Sequence, residues 1–152
     1  MTTMLIPVYI IIFAFGAVIG SFCNVCIFRI PKKETVVTTP SHCMSCGYQL
    51  KWYDLIPIIS WLWLRGKCRK CGEKISAQYP LIETINGLLY VVIFIATDFD
   101  FLESALTCLL ASALLVLSVI DFRTFEIPLG INVFILVPVS YTHLTLPTKS
   151  LV

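Results

Sequence analysis

From Met1 to Phe28 the chain carries no charged side chain, and this run limits the fold more than any other feature. Leu5 to Phe28 is 24 residues, more than the roughly 20 that take an α-helix across a hydrocarbon core. A secretory signal peptide would open on basic residues and have a shorter apolar stretch. Met1-Thr2-Thr3-Met4 has neither lysine nor arginine, so the run reads as a retained transmembrane helix. Tyr79 to Thr97, uncharged after Glu83, makes a second span, and Ser104 to Ile120, uncharged over 17 residues, a third. Another apolar run begins at Ile127 and reaches Val139. Apolar residues make up 58% of the chain and charged ones 13%, against roughly 45–50% and 25% in soluble domains. The fold class expected is an all-α polytopic membrane protein of three to four transmembrane helices with a polar insert.

The charges set the orientation. Nine of the eleven lysines and arginines lie between Arg29 and Lys74, where Glu34, Asp54 and Glu73 are the acids; nine minus three leaves a loop of +6. Basic loops stay in the cytoplasm, which puts the N-terminus outside. Anionic lipid heads account for this charge, so no nucleic-acid partner is expected. Asp98 to Glu103, with three acids and no base, suits an external loop.

The basic loop contains two matched units, Cys43-Met44-Ser45-Cys46-Gly47 and Cys68-Arg69-Lys70-Cys71-Gly72, with 21 residues between Cys46 and Cys68. Two residues between cysteines let one tight turn aim both sulfurs at a point, and the glycine supplies the positive φ that such a turn needs. Two such turns facing each other give Cys43, Cys46, Cys68 and Cys71 as a tetrahedral thiolate set of the kind structural zinc prefers. His42 precedes the first unit, but four cysteines already complete the site, so an exposed histidine is expected. Between the units, Asp54 can N-cap a helix with Pro57 in its first turn and Gly66 at its end. Leu55, Ile58, Ile59 and Leu62 share one face. Such a helix is too short to span, and with Trp52, Tyr53, Trp61 and Trp63 around it, it should lie against the bilayer.

Several polar or small residues stand out within or beside the spans. Gly16 and Gly20 allow close approach of another helix, from this chain or from a second copy in a homo-oligomer. Asn24 must find a hydrogen-bond partner in lipid. Cys23, Cys26 and Cys108 read as small buried hydrophobes. A carboxylate at mid-membrane costs roughly 2.5–3.5 kcal/mol; Glu83, near the cytoplasmic end, costs less but invites a functional reading. Asp121 sits at the cytoplasmic end of the third span, where it is either a solvated cap or a reacting acid.

The run Gly20-Ser21-Phe22-Cys23-Asn24-Val25, followed by Arg29-Ile30-Pro31, resembles the N-terminal signature of bacterial prepilin peptidases, the type IV leader peptidases. The likeness continues through both cysteine units, Trp52-Tyr53-Asp54-Leu55-Ile56-Pro57, Leu64-Arg65-Gly66-Lys67-Cys68 and Ile75-Ser76-Ala77-Gln78-Tyr79-Pro80-Leu81-Ile82-Glu83, and Asp121 with Ile127-Pro128 resembles the family's D-x5-I-P segment. The resemblance covers residues 5–135. It implies an inner-membrane aspartic protease that cuts the basic leader from prepilins and pseudopilins at the cytoplasmic boundary. It also implies N-methylation of the new N-terminus with S-adenosylmethionine as methyl donor. On this pattern Asp121 is a catalytic carboxylate, and Glu83, Asn24, Arg29 and Asp54 fall in the region of substrate binding or methyl transfer. The residues that would bind S-adenosylmethionine are not identified.

The family's second aspartate lies in a later G-x-G-D motif, and no aspartate follows Asp121 here. Leu129 stands where the family usually has a polar residue, and Cys23 and Cys26 where it is more often aliphatic. Residues 140–152 do not continue the fourth span and resemble a translated adapter. The expected organisation is therefore a first transmembrane helix (1–28), a cytoplasmic cysteine-rich domain (29–78), the start of the peptidase membrane domain (79–139) and a non-native tail (140–152). A chain truncated in this way should not hydrolyse peptide bonds. Two other readings compete with this one. A membrane-anchored zinc-ribbon binding module explains the loop and the spans but leaves Asp121 a coincidence. A thiol–disulfide protein would need its cysteines outside the reducing cytoplasm.

Overall fold

A computed structural model describes residues 2–37, 40–124 and 133–140. Helix α1 spans Thr2–Arg29, α2 is the short Ile59–Trp63, α3 spans Gln78–Ala96 and α4 spans Phe101–Thr124. Residues 133–140 are helical as well. The described residues form no strand beyond two isolated antiparallel bridges, His42 with Gln49 and Lys67 with Lys74. Among the described residues, three helices are long and apolar enough to cross a membrane: Leu5–Arg29, Gln78–Ala96 and Phe101–Thr124. They correspond to the three uncharged runs. Ile127, Pro128, Leu129 and nearly all of the C-terminal tail lie outside the described residues.

α1 packs along α3 because the side chains between them are missing. A Cβ on Gly16 would fall 2.9 Å from the Gly87 Cα, and one on Gly20 would fall 2.9 Å from the Glu83 Cα. Both distances are shorter than carbon atoms tolerate, so the close approach requires glycine at each position. The helix that Gly16 and Gly20 admit is therefore α3 of the same chain.

Polar groups then bind the three helices together. Asn86, fully buried, donates from Nδ2 to the Gly16 carbonyl at 2.7 Å and accepts the Ser112 hydroxyl on Oδ1 at 2.9 Å. Ser112 is also 3.1 Å from the Tyr90 hydroxyl. Ile6, Ile10, Ile11, Phe15 and Phe22 point outward from α1, as a lipid-facing stripe should. An apolar cluster of Cys23, Ile27, Ile82, Val116 and Ile120 closes the end of the bundle that carries the cysteine insert. Cys23 and Cys108 are buried packing residues.

α3 and α4 are joined by Thr97-Asp98-Phe99-Asp100 alone. Helix α3 ends by donating Phe99 N–H to Phe94 O and Asp98 N–H to Ile95 O, the paired closure that uses a left-handed residue. Asp98, at φ 49°, takes that place. Asp100 Oδ1 then accepts the Glu103 N–H at 3.2 Å and caps α4.

The insert between the cysteine units departs from the expected helix. Trp52–Leu55 is a single 3-10 turn with Asp54 inside it, and α2 begins only at Ile59. Asp54 is not an N-cap, because its carboxylate is already engaged across the insert. Arg69 donates to Oδ1 through Nε at 3.0 Å and Nη2 at 2.8 Å, and the Lys51 N–H reaches Oδ2 at 3.3 Å. Ile58 then interrupts the chain at φ 60°, ψ −53°, a rare γ-turn closed by the Ile59 N–H on the Pro57 carbonyl.

Candidate metal centre and membrane-face carboxylates

Each cysteine unit is a local construction. In the first, the Cys43 N–H donates to Tyr48 O at 2.8 Å and the Gly47 N–H to Cys43 O at 2.9 Å. The second repeats this with Cys68 to Glu73 O at 2.8 Å and Gly72 to Cys68 O at 3.0 Å. Gly47 and Gly72 sit at φ 68° and 73°. A Cβ on either would meet nothing within 4 Å, so glycine is needed there for backbone conformation and not for room. The turns aim their sulfurs at one point, and all four lie within 4.8 Å of one another. Cys43 and Cys71 Sγ are 3.8 Å apart and Cys46 and Cys68 Sγ 3.9 Å. A tetrahedral site with metal–sulfur bonds of about 2.3 Å has edges of about 3.8 Å, so these four residues fit a single metal ion. His42 is exposed and bonds Pro40 O through Nδ1 at 3.2 Å, outside the cluster.

The turns also prepare thiolates. The Cys46 and Ser45 N–H groups, pointing at the Cys43 sulfur, bring its pKa down to about 6, and the Cys71 and Lys70 N–H groups lower that of Cys68. Cys71 behaves oppositely. The Glu73 N–H favours its thiolate, but desolvation and the sulfurs of Cys68, Cys46 and Cys43 outweigh it and push it up to about 12. Four sulfurs this close cannot all carry charge without a cation among them.

Asp54 couples the two units. Its side chain is fully buried against a half-exposed Arg69, which belongs to the second unit, while Lys51 and Tyr48 come from the flank of the first. The Arg69 guanidinium also lies 5.1 Å from the Tyr53 ring centroid. On the other side of the insert the Trp61 indole donates to Ile75 O at 3.2 Å. Trp52, Ile59, Leu62 and Trp63 remain exposed.

The end of the helix bundle below the insert gathers the remaining candidates. Asn24 is fully buried and donates from Nδ2 to Tyr79 O at 3.1 Å, while its Oδ1 has no hydrogen-bond partner. Arg29 Nη1 holds the chain leaving α1 through Thr35 O at 3.1 Å and Val36 O at 3.4 Å. Glu83 is buried at 6% exposure and accepts the Ile58 N–H on Oε2 at 2.7 Å. The Phe28 and Tyr79 rings stack at 5.3 Å, and the Arg123 guanidinium lies 4.6 Å from the Phe28 ring centroid. This contact brings the last turn of α4 to the same end, and Asp121 is exposed there. Sequence reasoning missed Asn86 and Ser112. Asn86 was legible as a lone amide three residues after Glu83, on the same helix face.

Together these features define an all-α polytopic membrane protein whose first two spans are joined by a four-cysteine insert able to hold a metal ion. A family model described as the bacterial peptidase A24 N-terminal domain matches residues 14–97, and the chain belongs to that family. It is 39% identical over 124 residues to a prepilin leader peptidase/N-methyltransferase of Myxococcus xanthus, covering 82% of this chain and 37% of that protein. Proteins of the same name from Vibrio cholerae (35% over 131 residues; 80% of this chain, 51% of the relative) and Bacillus subtilis (33% over 140; 92% and 56%) are also similar. The chain thus spans 37% to 56% of the length of these three relatives. No solved structure matches it.

Proposed function

We propose that this chain serves a prepilin leader peptidase that removes the basic leader of type IV prepilins or pseudopilins at the cytoplasmic face of the bacterial inner membrane. The observation that carries this reading is the exposed Asp121 at the same end of the bundle as the cysteine insert. Hydrolysis by the aspartic-protease mechanism uses one ionised carboxylate to take a proton from water and a second, protonated one to polarise the scissile carbonyl. Asp121 is the first of these. Arg29 borders the face along which the leader passes, and the fully buried Asn24 acts through the start of α3, which it holds at Tyr79 O.

Cys43, Cys46, Cys68 and Cys71 hold a structural zinc ion, which supplies no step of the hydrolysis. Its part is to fix the insert, whose exposed Trp52, Ile59, Leu62 and Trp63 rest on the lipid headgroups. Methylation of the new N-terminus with S-adenosylmethionine is the second activity proposed for this region, with Asp54 acting through the insert that it organises.

The 152 residues contain no aspartate after Asp121, so the chain by itself should leave prepilin uncut. A chimera joining residues 1–124 to the corresponding C-terminal region of the Myxococcus xanthus relative tests the assignment. With purified prepilin in detergent, the chimera should cleave and its Asp121→Asn variant should not. Cleavage retained in that variant removes Asp121 from the mechanism, and cleavage by the unmodified 152-residue chain removes the two-carboxylate argument.

A further inference from the structure

We infer that the Glu83 carboxylate latches the cysteine insert onto the end of the helix bundle by holding the γ-turn at Ile58. The inference goes beyond the peptidase reading and does not depend on it.

Glu83 is poorly placed to react. Its side chain is buried at 6% exposure, and the Ile58 N–H donates to Oε2 at 2.7 Å. The carboxylate therefore joins α3 to the insert. Behind it, Gly20 brings α1 so close that a Cβ there would lie 2.9 Å from the Glu83 Cα. The base of the latch is thus set by backbone packing.

The turn that it holds is one the chain would not adopt unaided. Ile58 is β-branched, yet it sits at φ 60°, ψ −53°, a region that such residues avoid. A backbone held there persists only where surrounding contacts over-determine it. Pro57 has no N–H to offer, which leaves the Ile58 N–H as the donor that this turn presents outward. Among the described residues its acceptor is the Glu83 carboxylate. One contact holds the strained turn of the insert and gives the buried carboxyl group of the bundle its donor.

Hydrogen–deuterium exchange on the detergent-solubilised 152-residue chain, with zinc present, tests this. Leaving a buried N–H without its acceptor shifts an opening equilibrium by roughly tenfold to a hundredfold. Glu83→Ala should therefore speed exchange over residues 52–66 by about that factor, with the protection of α3 and α4 and the zinc content unchanged. Glu83→Gln keeps a carbonyl acceptor and should retain most of the protection. Ile58→Gly relaxes the turn while keeping the N–H and should exchange no faster than the parent. Exchange over 52–66 that is the same in Glu83→Ala as in the parent overturns the inference. So does a Glu83→Gln variant as open as Glu83→Ala, since charge and not an acceptor would then be the requirement. If Glu83→Ala fails to fold, Glu83→Met takes its place, filling the same volume without a carboxylate acceptor. Protection of 52–66 that survives in Glu83→Met also overturns the inference.

Discussion

Replacing Asn86 by leucine tests whether buried amide bonds hold the three helices together. The two side chains are similar in size, so the change removes polar contacts without opening a large cavity. Two interhelical bonds are lost, Nδ2 to Gly16 O at 2.7 Å and Ser112 Oγ to Oδ1 at 2.9 Å. Hydrogen bonds between membrane helices average about 0.6 kcal/mol and reach about 1.7, so two together predict a loss of about 1–3 kcal/mol. The lower half of that range is expected, because the Ser112 hydroxyl keeps the Tyr90 hydroxyl at 3.1 Å as an alternative partner. Unfolding in mixed micelles with increasing dodecyl sulfate, followed by helical circular dichroism, measures the loss. A double-mutant cycle with Ser112→Ala should return a coupling of about 0.6–1.7 kcal/mol. An Asn86→Leu protein as stable as the parent, with zero coupling to Ser112, would refute the argument.

Three further outcomes follow from the geometry. Gly16→Val should separate α1 from α3, because even a Cβ falls 2.9 Å from the Gly87 backbone; cysteine cross-linking between the two helices should weaken, and an unchanged yield would contradict the packing. Cys46→Ser should abolish stoichiometric zinc binding, with loss of protection across the whole insert, while α3 and α4 keep theirs; metal analysis with hydrogen exchange reads both. In metal-stripped protein, Cys43, with its pKa down at about 6, should reach its full alkylation rate by about pH 7–8, because the thiolate is the nucleophile. Cys71, raised to about 12, should still be accelerating at pH 10. The linked stability has the matching sign: the Cys43 contribution is present above the ordinary thiol value of 9.0 and disappears as pH falls through about 6. Equal alkylation profiles for the two thiols would contradict this account.

Much of the architecture was legible because it is written in local chemistry. Absence of charge marks the spans, and each C-x-x-C-G unit carries its own turn. What escaped the sequence depends on contacts made at long range. Asp54 is a good N-cap by type, but Arg69, 15 residues on, claims its carboxylate, and the expected helix gives way to a 3-10 turn and the γ-turn at Ile58. Gly16 and Gly20 announce a close neighbour without saying which one, and α3 answers through Gly87 and the Glu83 backbone. Asn86 was hidden by its neighbour Glu83, because a charge in a span draws the eye before an amide does. Nothing in the local sequence of Ile58 foretells its backbone, since a β-branched residue after proline favours an extended conformation.

The four-residue link between α3 and α4 makes the two helices an antiparallel hairpin. Within that hairpin the Asn86 carbonyl is satisfied by Ser112, while its amide group reaches the Gly16 carbonyl of α1. One side chain thus divides its polar groups between its hairpin partner and the helix at the far side of the insert, and so sets the register of all three spans.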